Sequence, residues 1–355
     1  MKRNRNMAWA FGFIAAAGLV IAGFALLTFD GGPVEVVQRG YRGVAMEVNY
    51  KPEQLAEYLK TNEPPEVIPD LGHDGPKSSE IYENVQVLGH LSEGEFTRVM
   101  LAITAWVSPE QGCAYCHNVE NMAEDSVYTK VVARKMLQMT QTINADWNTH
   151  VGGAGVNCYT CHRGNPVPAQ IWFHPEEKRR PGGLAMVATG KNTPSGAAGL
   201  SSLPTDPFTP YLENNYPIRV QGSSALPRTD GPRNSIKETE WTWALMIHYS
   251  TALGVNCTYC HNSRAFSDWE QSTPQRVSAW YAIRMVRDVN ADYLKSLTGV
   301  FPPNRLGPTG DVAKVGCATC HQGVYKPLFG VSMLTNFPEL AKPGAQAGLT
   351  QIKSP

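Results

Sequence analysis

Cys-x-x-Cys-His occurs four times in this chain of 355 residues, as Cys113-Ala-Tyr-Cys116-His117, Cys158-Tyr-Thr-Cys161-His162, Cys257-Thr-Tyr-Cys260-His261 and Cys317-Ala-Thr-Cys320-His321. All eight cysteines lie in these motifs, so none is left for a disulfide or a lone nucleophile. Each use of the spacing makes its own demand. A redox dithiol needs no histidine after it, and a structural zinc site needs a second ligand pair close by. Covalent haem attachment needs two thiols spaced for two vinyl groups, followed by an imidazole for the iron. Four complete motifs with no cysteine outside them meet the last demand and leave little to the zinc reading.

The residues therefore predict four covalently attached haem c groups, with His117, His162, His261 and His321 as proximal iron ligands. The opposite face of each iron takes Met, His or nothing. Met100 precedes Cys113 by thirteen residues and Met246 precedes Cys257 by eleven, each on a helix-like stretch leading into its motif. Met136 lies twenty-two residues before Cys158. One such methionine is by default core filler. The same placement before successive motifs favours thioether ligation. Met139 rivals Met136, three residues on and on nearly the same helical face. His150 and Met285 are the candidates for the last motif.

The elements that must hold these groups are mainly helical, with long irregular connections signalled by 26 prolines and 32 glycines. "LSEGEFTRVMLAITAWV" at 91–107 opens with Ser92 three residues before Glu95, the spacing of a capping box. "YTKVVARKMLQMTQTINADW" at 128–147 repeats apolar residues at three- and four-residue steps. Two more helices are expected, over about 236–252 and from Pro274 to about Leu297, the latter with Thr273 as N-cap. Residues 30–90 read as mixed, with "NEPPEVIP" and "GHDGP" as loop.

Helix, motif, helix, motif thus occurs twice, and "INADW" at 143–147 and "VNADY" at 289–293 mark one point in both repeats. The expected organisation is a multihaem domain over 30–340 built from two duplicated dihaem halves, about 91–165 and about 236–330. A connector over about 166–235 joins them, and a polar tail closes the chain at 341–355. Aligning the repeats pairs Met136 with Ala282 and Met139 with Met285. If Met136 is a ligand, its counterpart has lost the sulfur.

Ahead of this domain, residues 1–6 are basic, with Lys2, Arg3 and Arg5 before an uncharged run of 23 residues from Met7 to Phe29. As a helix the run measures about 34 Å, against a bilayer core of about 30 Å. A cleaved signal peptide has an apolar core of roughly 7–15 residues and a small-residue cleavage site, and "LLTFDGG" is a poor one. The expectation is a retained transmembrane anchor at 7–29, so that the mature protein begins at or near Met1. Its N-terminus is then cytoplasmic and its haem domain periplasmic. With 31 basic and 31 acidic residues the chain carries no net charge, which gives no sign of a nucleic-acid partner.

Several stretches resemble the tetrahaem cytochrome subunit of purple-bacterial photosynthetic reaction centres. They are "YRGVAM", "EFTRVMLAITAWVSPEQGCAYCHN", "YTKVVARKMLQMTQTINADW", "GVNCYTCHRG", "GVNCTYCHN", "STPQRVSAWYAIRMVRDVNADYL" and "CATCHQGVYKPLFG", and together they cover most of residues 40–340. The resemblance implies three His/Met haems and one bis-His haem, with the pairs His117/Met100, His162/Met136, His261/Met246 and His321/His150. It leaves Met139 and Met285 to packing. It implies an electron-transfer subunit, not an enzyme, that re-reduces the photo-oxidised bacteriochlorophyll pair, with the third haem nearest that pair.

The implied partners are the L, M and H subunits, a light-harvesting core complex, and a soluble periplasmic donor, a cytochrome c or a high-potential iron–sulfur protein. The implied location is the photosynthetic inner membrane. Some family members begin with a lipid-bearing cysteine; this chain has none there, in keeping with a helical anchor. Arg264 and Arg276 are candidates to neutralise haem propionates, with ordinary surface arginines as the alternative. His248 reads as packing or surface, and His73, His90 and His174 fit no ligand pattern. The competing class is a membrane-anchored multihaem quinol dehydrogenase or a periplasmic multihaem reductase. An enzyme would want an open iron face or an altered motif such as Cys-x-x-Cys-Lys, and the four motifs are regular.

Overall fold

A computed structural model describes residues 2–28, 34–40, 43, 45–176, 203–204, 206–218 and 236–343. Helix α1 (Lys2–Thr28) contains the apolar run. Its Trp9–Thr28 stretch has a mean hydropathy of 2.4, is long and apolar enough to cross a membrane, and is not buried among the described residues. The region read as mixed opens with a hairpin, β1 (Glu35–Gln38) antiparallel to β2 (Glu47–Tyr50), with Glu35 opposite Tyr50. Helix α2 (Pro52–Thr61) begins with a proline where a backbone N–H has no helical acceptor. A single turn, α3 (Ser78–Ile81), follows.

Helix α4 (Glu93–Val107) starts as its sequence dictates. The Ser92 hydroxyl accepts from the Glu95 N–H at 3.3 Å, and Glu95 Oε2 accepts from the Ser92 N–H at 2.8 Å. Helix α5 (Tyr128–Asp146) is followed by the short turns α6 (Asn148–Val151) and α7 (Cys158–His162). Helix α8 (Ile236–Leu253) matches the third expected helix. Helix α9 (Pro274–Asp288) is shorter than its sequence suggests, because the backbone widens to a π turn over Val289–Leu294 and tightens to a 3-10 turn over Lys295–Leu297. The turns α10 (Cys317–His321) and α11 (Met333–Asn336) complete the order.

Two apolar clusters organise these elements. One joins Val99, Ala102 and Trp106 of α4 to Leu137 of α5 and to Leu334, Phe337 and Leu340 near the C-terminus. Arg98 closes it: its guanidinium donates to Glu339 Oε1 at 2.6 Å, Asn336 O at 2.7 Å and Ile68 O at 3.1 Å, so the buried charge is paired. The other cluster joins Leu245 of α8 and Val286 of α9 to Trp172, Phe208, Tyr211 and Leu212. Part of the expected connector is therefore core. Residues 177–202 and 219–235 of the connector, and 344–355 of the tail, lie outside the described residues.

Candidate haem-binding site

The first and third motifs are built alike. Gly112–Tyr115 and Cys257–Tyr259 are single 3-10 turns. His117 Nδ1 lies 3.0 Å from Met122 O and His261 Nδ1 lies 2.8 Å from Phe266 O, five residues on in both cases. The asparagine after each histidine closes a tight turn, Asn118 Oδ1 accepting from the Glu120 N–H and Asn262 Oδ1 from the Arg264 N–H. A threonine then ties each motif to the following helix. The Thr129 hydroxyl donates to Tyr115 O, and the Thr273 hydroxyl donates to Tyr259 O at 2.6 Å. Thr273 occupies the cap position of α9 as expected, but its side chain holds the motif instead of the helix.

The second and fourth motifs share a different build. They are the turns α7 and α10, each ended by a residue in the left-handed region, Arg163 (φ 51°) and Gln322 (φ 47°). His162 Nδ1 lies 2.8 Å from Asn165 O and His321 Nδ1 lies 3.0 Å from Val324 O, three residues on. The asparagines of the repeated pentapeptides clamp the backbone ahead of both turns. Asn144 Oδ1 accepts from the Val156 N–H at 2.8 Å while its Nδ2 donates to Val156 O at 2.9 Å. Asn290 treats Val315 the same way, at 2.9 and 3.1 Å. The repeat was visible in the sequence; its purpose needed the fold. α7 packs on α4 and α10 on α8, and the two turns meet where Cys161 and Cys320 bring their Sγ atoms to 2.9 Å. Arg163 donates to Cys320 O and Gln322 to Cys161 O across that junction, at 3.2 and 3.3 Å.

One consequence is common to all four histidines. An Nδ1–H given to a backbone carbonyl fixes the tautomer and ring orientation, and leaves Nε2 with the lone pair an iron needs. Burial pushes the His162 and His261 imidazoles down from the usual range, and His321 down to about 4, which keeps them neutral. Burial pushes the Cys158 and Cys317 thiols up to about 12 and the Cys260 thiol up to about 11. Such thiols are the opposite of a reactive dithiol. Among the described residues, no three or more His, Cys, Asp or Glu side chains converge as around a bare metal ion.

A single cavity of about 1790 Å³ runs past Cys116 and past the cysteines and histidines of the other three motifs. Pockets for one small ligand measure roughly 300–1,000 Å³. Paired thiols, lone-pair imidazoles and this volume fit covalently bound haem c.

The proposed distal ligands fall into place unequally. Met136, Met246 and His150 line the cavity, whereas Met100 is half-buried against the first core cluster. Thr104 Oγ1 donates to Met100 O and Thr140 Oγ1 to Met136 O, both at 2.9 Å. Met139 also lines the cavity and has isoleucine, Ile143, four residues on. Met285 is 8% exposed, belongs to the second core cluster and also lines the cavity, as does Ala282 where Met136 would repeat.

The rings of His150 and His321 have centroids 6.2 Å apart. Two collinear metal–imidazole bonds of about 2 Å, with about 1 Å more from each nitrogen to its ring centre, require roughly 6 Å. His150 Nδ1 lies 3.2 Å from both Ser278 O and Ser278 Oγ on α9, so its Nε2 is again the free nitrogen. His248 is packing: it meets the Phe208 ring edge-on at 4.6 Å, and burial pushes its imidazole down to about 4. Arg276 lines the cavity, stacks over Trp269 at 4.0 Å and donates to Asp268 O at 2.8 Å, so it braces the loop after the third motif.

The strap from the hairpin to α4 gives the spatial order of the motifs. The Met46 N–H donates to Thr258 Oγ1 at 2.7 Å and Tyr50 OH to Gly254 O at 2.5 Å, at the third motif. Asn62 next donates to Gln322 O at 3.3 Å, beside the fourth motif, and accepts from Arg163 at 3.2 Å, beside the second. Glu63 O accepts from Tyr159 of the second motif at 3.2 Å. Asn84 finally donates to Ala123 O at 2.6 Å, just past the first motif. The strap passes them in the order third, fourth, second, first.

Comparison with known proteins agrees with this architecture. Residues 30–341 match the family model described as photosynthetic reaction centre cytochrome C subunit. The chain is 50% identical over 322 residues to the photosynthetic reaction center cytochrome c subunit of Rubrivivax gelatinosus, covering 91% of this chain and 87% of the relative. With the subunit of the same description from Thermochromatium tepidum it shares 49% over 326 residues, 92% of this chain and 80% of the relative. Cytochrome c-554 of Chloroflexus aurantiacus is similar at 28% over 306 residues, 72% of each chain.

Proposed function

The chain belongs to the photosynthetic reaction centre cytochrome c subunit family, and from that premise we propose that it carries four haem c groups and passes electrons from a soluble periplasmic carrier to the photo-oxidised bacteriochlorophyll pair. Bound haem supplies one-electron exchange between Fe(III) and Fe(II). The residues do the rest. Each thiol pair fixes one haem by thioether bonds, and the locked imidazoles of His117, His162, His261 and His321 hold the proximal side. Thioethers from Met100, Met136 and Met246 would favour reduced iron, and the imidazole of His150, together with that of His321, would favour oxidised iron. With every axial position filled by the protein, a substrate has nowhere to bind, which favours electron transfer over the quinol dehydrogenase and reductase readings.

The recurrence of turn type, histidine spacing and asparagine clamp supports two dihaem halves related by duplication. Orientation follows from the strap. The hairpin comes directly after the candidate anchor α1 and rests on the third motif, so that end faces the photosynthetic membrane and the reaction centre's L and M subunits. The first motif lies at the far end, open to the donor. Residues 61–129 around it hold twelve acidic and two basic residues, a field that draws in a basic carrier. The H subunit and a light-harvesting core complete the expected assembly.

The observation that carries the reading is the set of four tautomer-locked motif histidines in a chain matched to this family over residues 30–341. The test is purification in mild detergent. Bacteriochlorophyll and reaction-centre subunits should co-purify, with four haems per chain and little carbon monoxide binding. A chain that purifies alone and binds carbon monoxide at one iron would be the reductase instead.

A further inference from the structure

We propose that Lys130 is a positioning residue for His117 and raises the reduction potential of the haem iron held by the first motif. The inference rests on the haem reading above. Lys130 sits in the first turn of α5 and is 7% exposed. Its ammonium donates to Met122 O at 2.9 Å, Ala123 O at 2.8 Å and Glu124 O at 2.9 Å, three consecutive carbonyls of the loop after the motif. Met122 O is also the oxygen that takes the His117 Nδ1–H, at 3.0 Å. A buried cation and the axial imidazole therefore share one acceptor, which puts the charge within about 6 Å of the ring nitrogen, close enough for a strong interaction.

Two effects follow, and they have the same sign. An axial histidine becomes more electron-rich, and a better partner for Fe(III), as the acceptor of its Nδ1–H improves. A carbonyl already bonded to an ammonium is a poorer acceptor, so His117 stabilises Fe(III) less. The buried positive charge also opposes oxidation of the iron directly. Asp125 works against both, lying 3.2 Å from the ammonium and 2.7 Å from Arg134. Its side chain is 39% exposed against 9% for Lys130, so water screens the carboxylate more than the ammonium. At the third motif Arg276 braces the matching loop through Asp268 O, two carbonyls beyond the one that His261 uses. The shared oxygen is thus a feature of the first motif.

A lysine that merely ties down the loop would matter for stability and leave the potential alone. Redox titration of the intact solubilised complex, with the four haem bands resolved, separates the two. Lys130→Met should shift one Fe(III)/Fe(II) equilibrium about tenfold toward Fe(III), a midpoint drop of about 59 mV, with the other three unchanged. Lys130→Arg, which keeps the charge, should stay within about twofold of wild type. Asp125→Asn removes the opposing charge without touching the ammonium's carbonyl bonds, and should move the same midpoint upward by about two- to threefold.

If Lys130→Met frees the loop and His117 with it, carbon monoxide binding will reveal this, and the Asp125→Asn result then decides. An unchanged midpoint in a six-coordinate Lys130→Met protein, or no upward shift in Asp125→Asn, overturns the proposal. Absence of haem from the wild-type peptide 113–117, read by mass spectrometry, would sink the haem reading itself, which is a separate failure.

Discussion

The turn Cys158–His162 in the first half and the turn Cys317–His321 in the second are made from the same parts. Both are preceded by an asparagine-clamped valine, both lock their histidine to the carbonyl three residues on, and both end in a left-handed residue. They differ in what the preceding helix presents to the cavity. In the first half α5 offers Met136; at the matching place α9 offers Ala282, which has no donor atom. His150 is the residue proposed for that role, held by Ser278 of α9 although it belongs to the chain just past α5. On the proposed ligand set, a repeat that has lost one ligand and gained another from its neighbour would no longer work as an independent half. The difference teaches that the two halves are coupled through chemistry as well as through packing.

The largest test of that contrast is to make the two turns equal. His150→Met should raise one midpoint by on the order of 100 mV, since axial ligands span most of a volt, and leave the other three within error. His150→Ala should open one iron to carbon monoxide. Should Met285→Leu instead change a midpoint or open an iron, the core position of Met285 has been misjudged and the contrast collapses.

Next in size are the asparagine clamps, where the halves should behave alike. Asn144→Ala leaves the half-buried Val156 N–H and C=O without their partner, and Asn290→Ala leaves only the Val315 N–H without one, its C=O keeping Trp172 Nε1 at 2.9 Å, each at a cost of about 2–4 kcal/mol. Guanidinium unfolding of the intact subunit measures it. A loss at Asn290 alone would mean that the second half depends on its clamp in a way the first does not.

Charge separates the approach to the first motif from the second half, at a smaller scale. Residues 61–129 are strongly acidic, whereas residues 236–343 hold eight acidic and ten basic residues. Glu110→Lys with Glu120→Lys, both exposed near the first motif, should slow bimolecular reduction by a basic donor about tenfold at low ionic strength, with the gap closing as salt is added. Lys295→Glu, in the other half, should leave that rate unchanged. Equal effects would place the donor elsewhere.

What was legible in the sequence was local. Four motifs, the Ser92–Glu95 capping box and the apolar spacing of α5 are patterns within a few turns, and the structure carries each of them. Contacts between distant residues were not legible. His150 was a candidate for the last motif only through Ala282, which lacks the sulfur of Met136, and through the family resemblance; that its ring comes within 6.2 Å of His321 needed the fold. Phe208, Tyr211 and Leu212 were hidden in a stretch whose Pro, Gly and Ser content reads as connector, yet they are buried. No spacing or motif in the sequence marks Lys130, whose three carbonyl contacts depend on how the loop before α5 folds back. The choice of Met136 over Met139 came from the family resemblance; in the structure both methionines line the cavity.

The smallest expected effect concerns how each half starts the helix that follows its entry loop. α4 in the first half is tied down by an ionisable contact, whereas α9 in the second begins with Thr273 and Pro274, which do not titrate. His73 Nδ1 lies 3.0 Å from Glu95 Oε1 and its Nε2 lies 2.9 Å from Asp70 Oδ2, so the entry loop is clasped to the α4 capping box. The hydrogen bond to Glu95, then the Asp70 charge, raises the His73 pKa above its ordinary value. A histidine that binds its proton more tightly when folded adds stability in full below its unfolded pKa, near 6.5, and that stability fades as pH rises through the folded value. The side chain is 62% exposed, so solvent and salt hold the contribution well under about 1 kcal/mol. The melting difference between wild type and His73→Gln should therefore be greatest near pH 6 at low salt and vanish above pH 8. A difference that grows with pH would show that His73 is neutral in the clasp, and α4 would then differ from α9 in geometry alone.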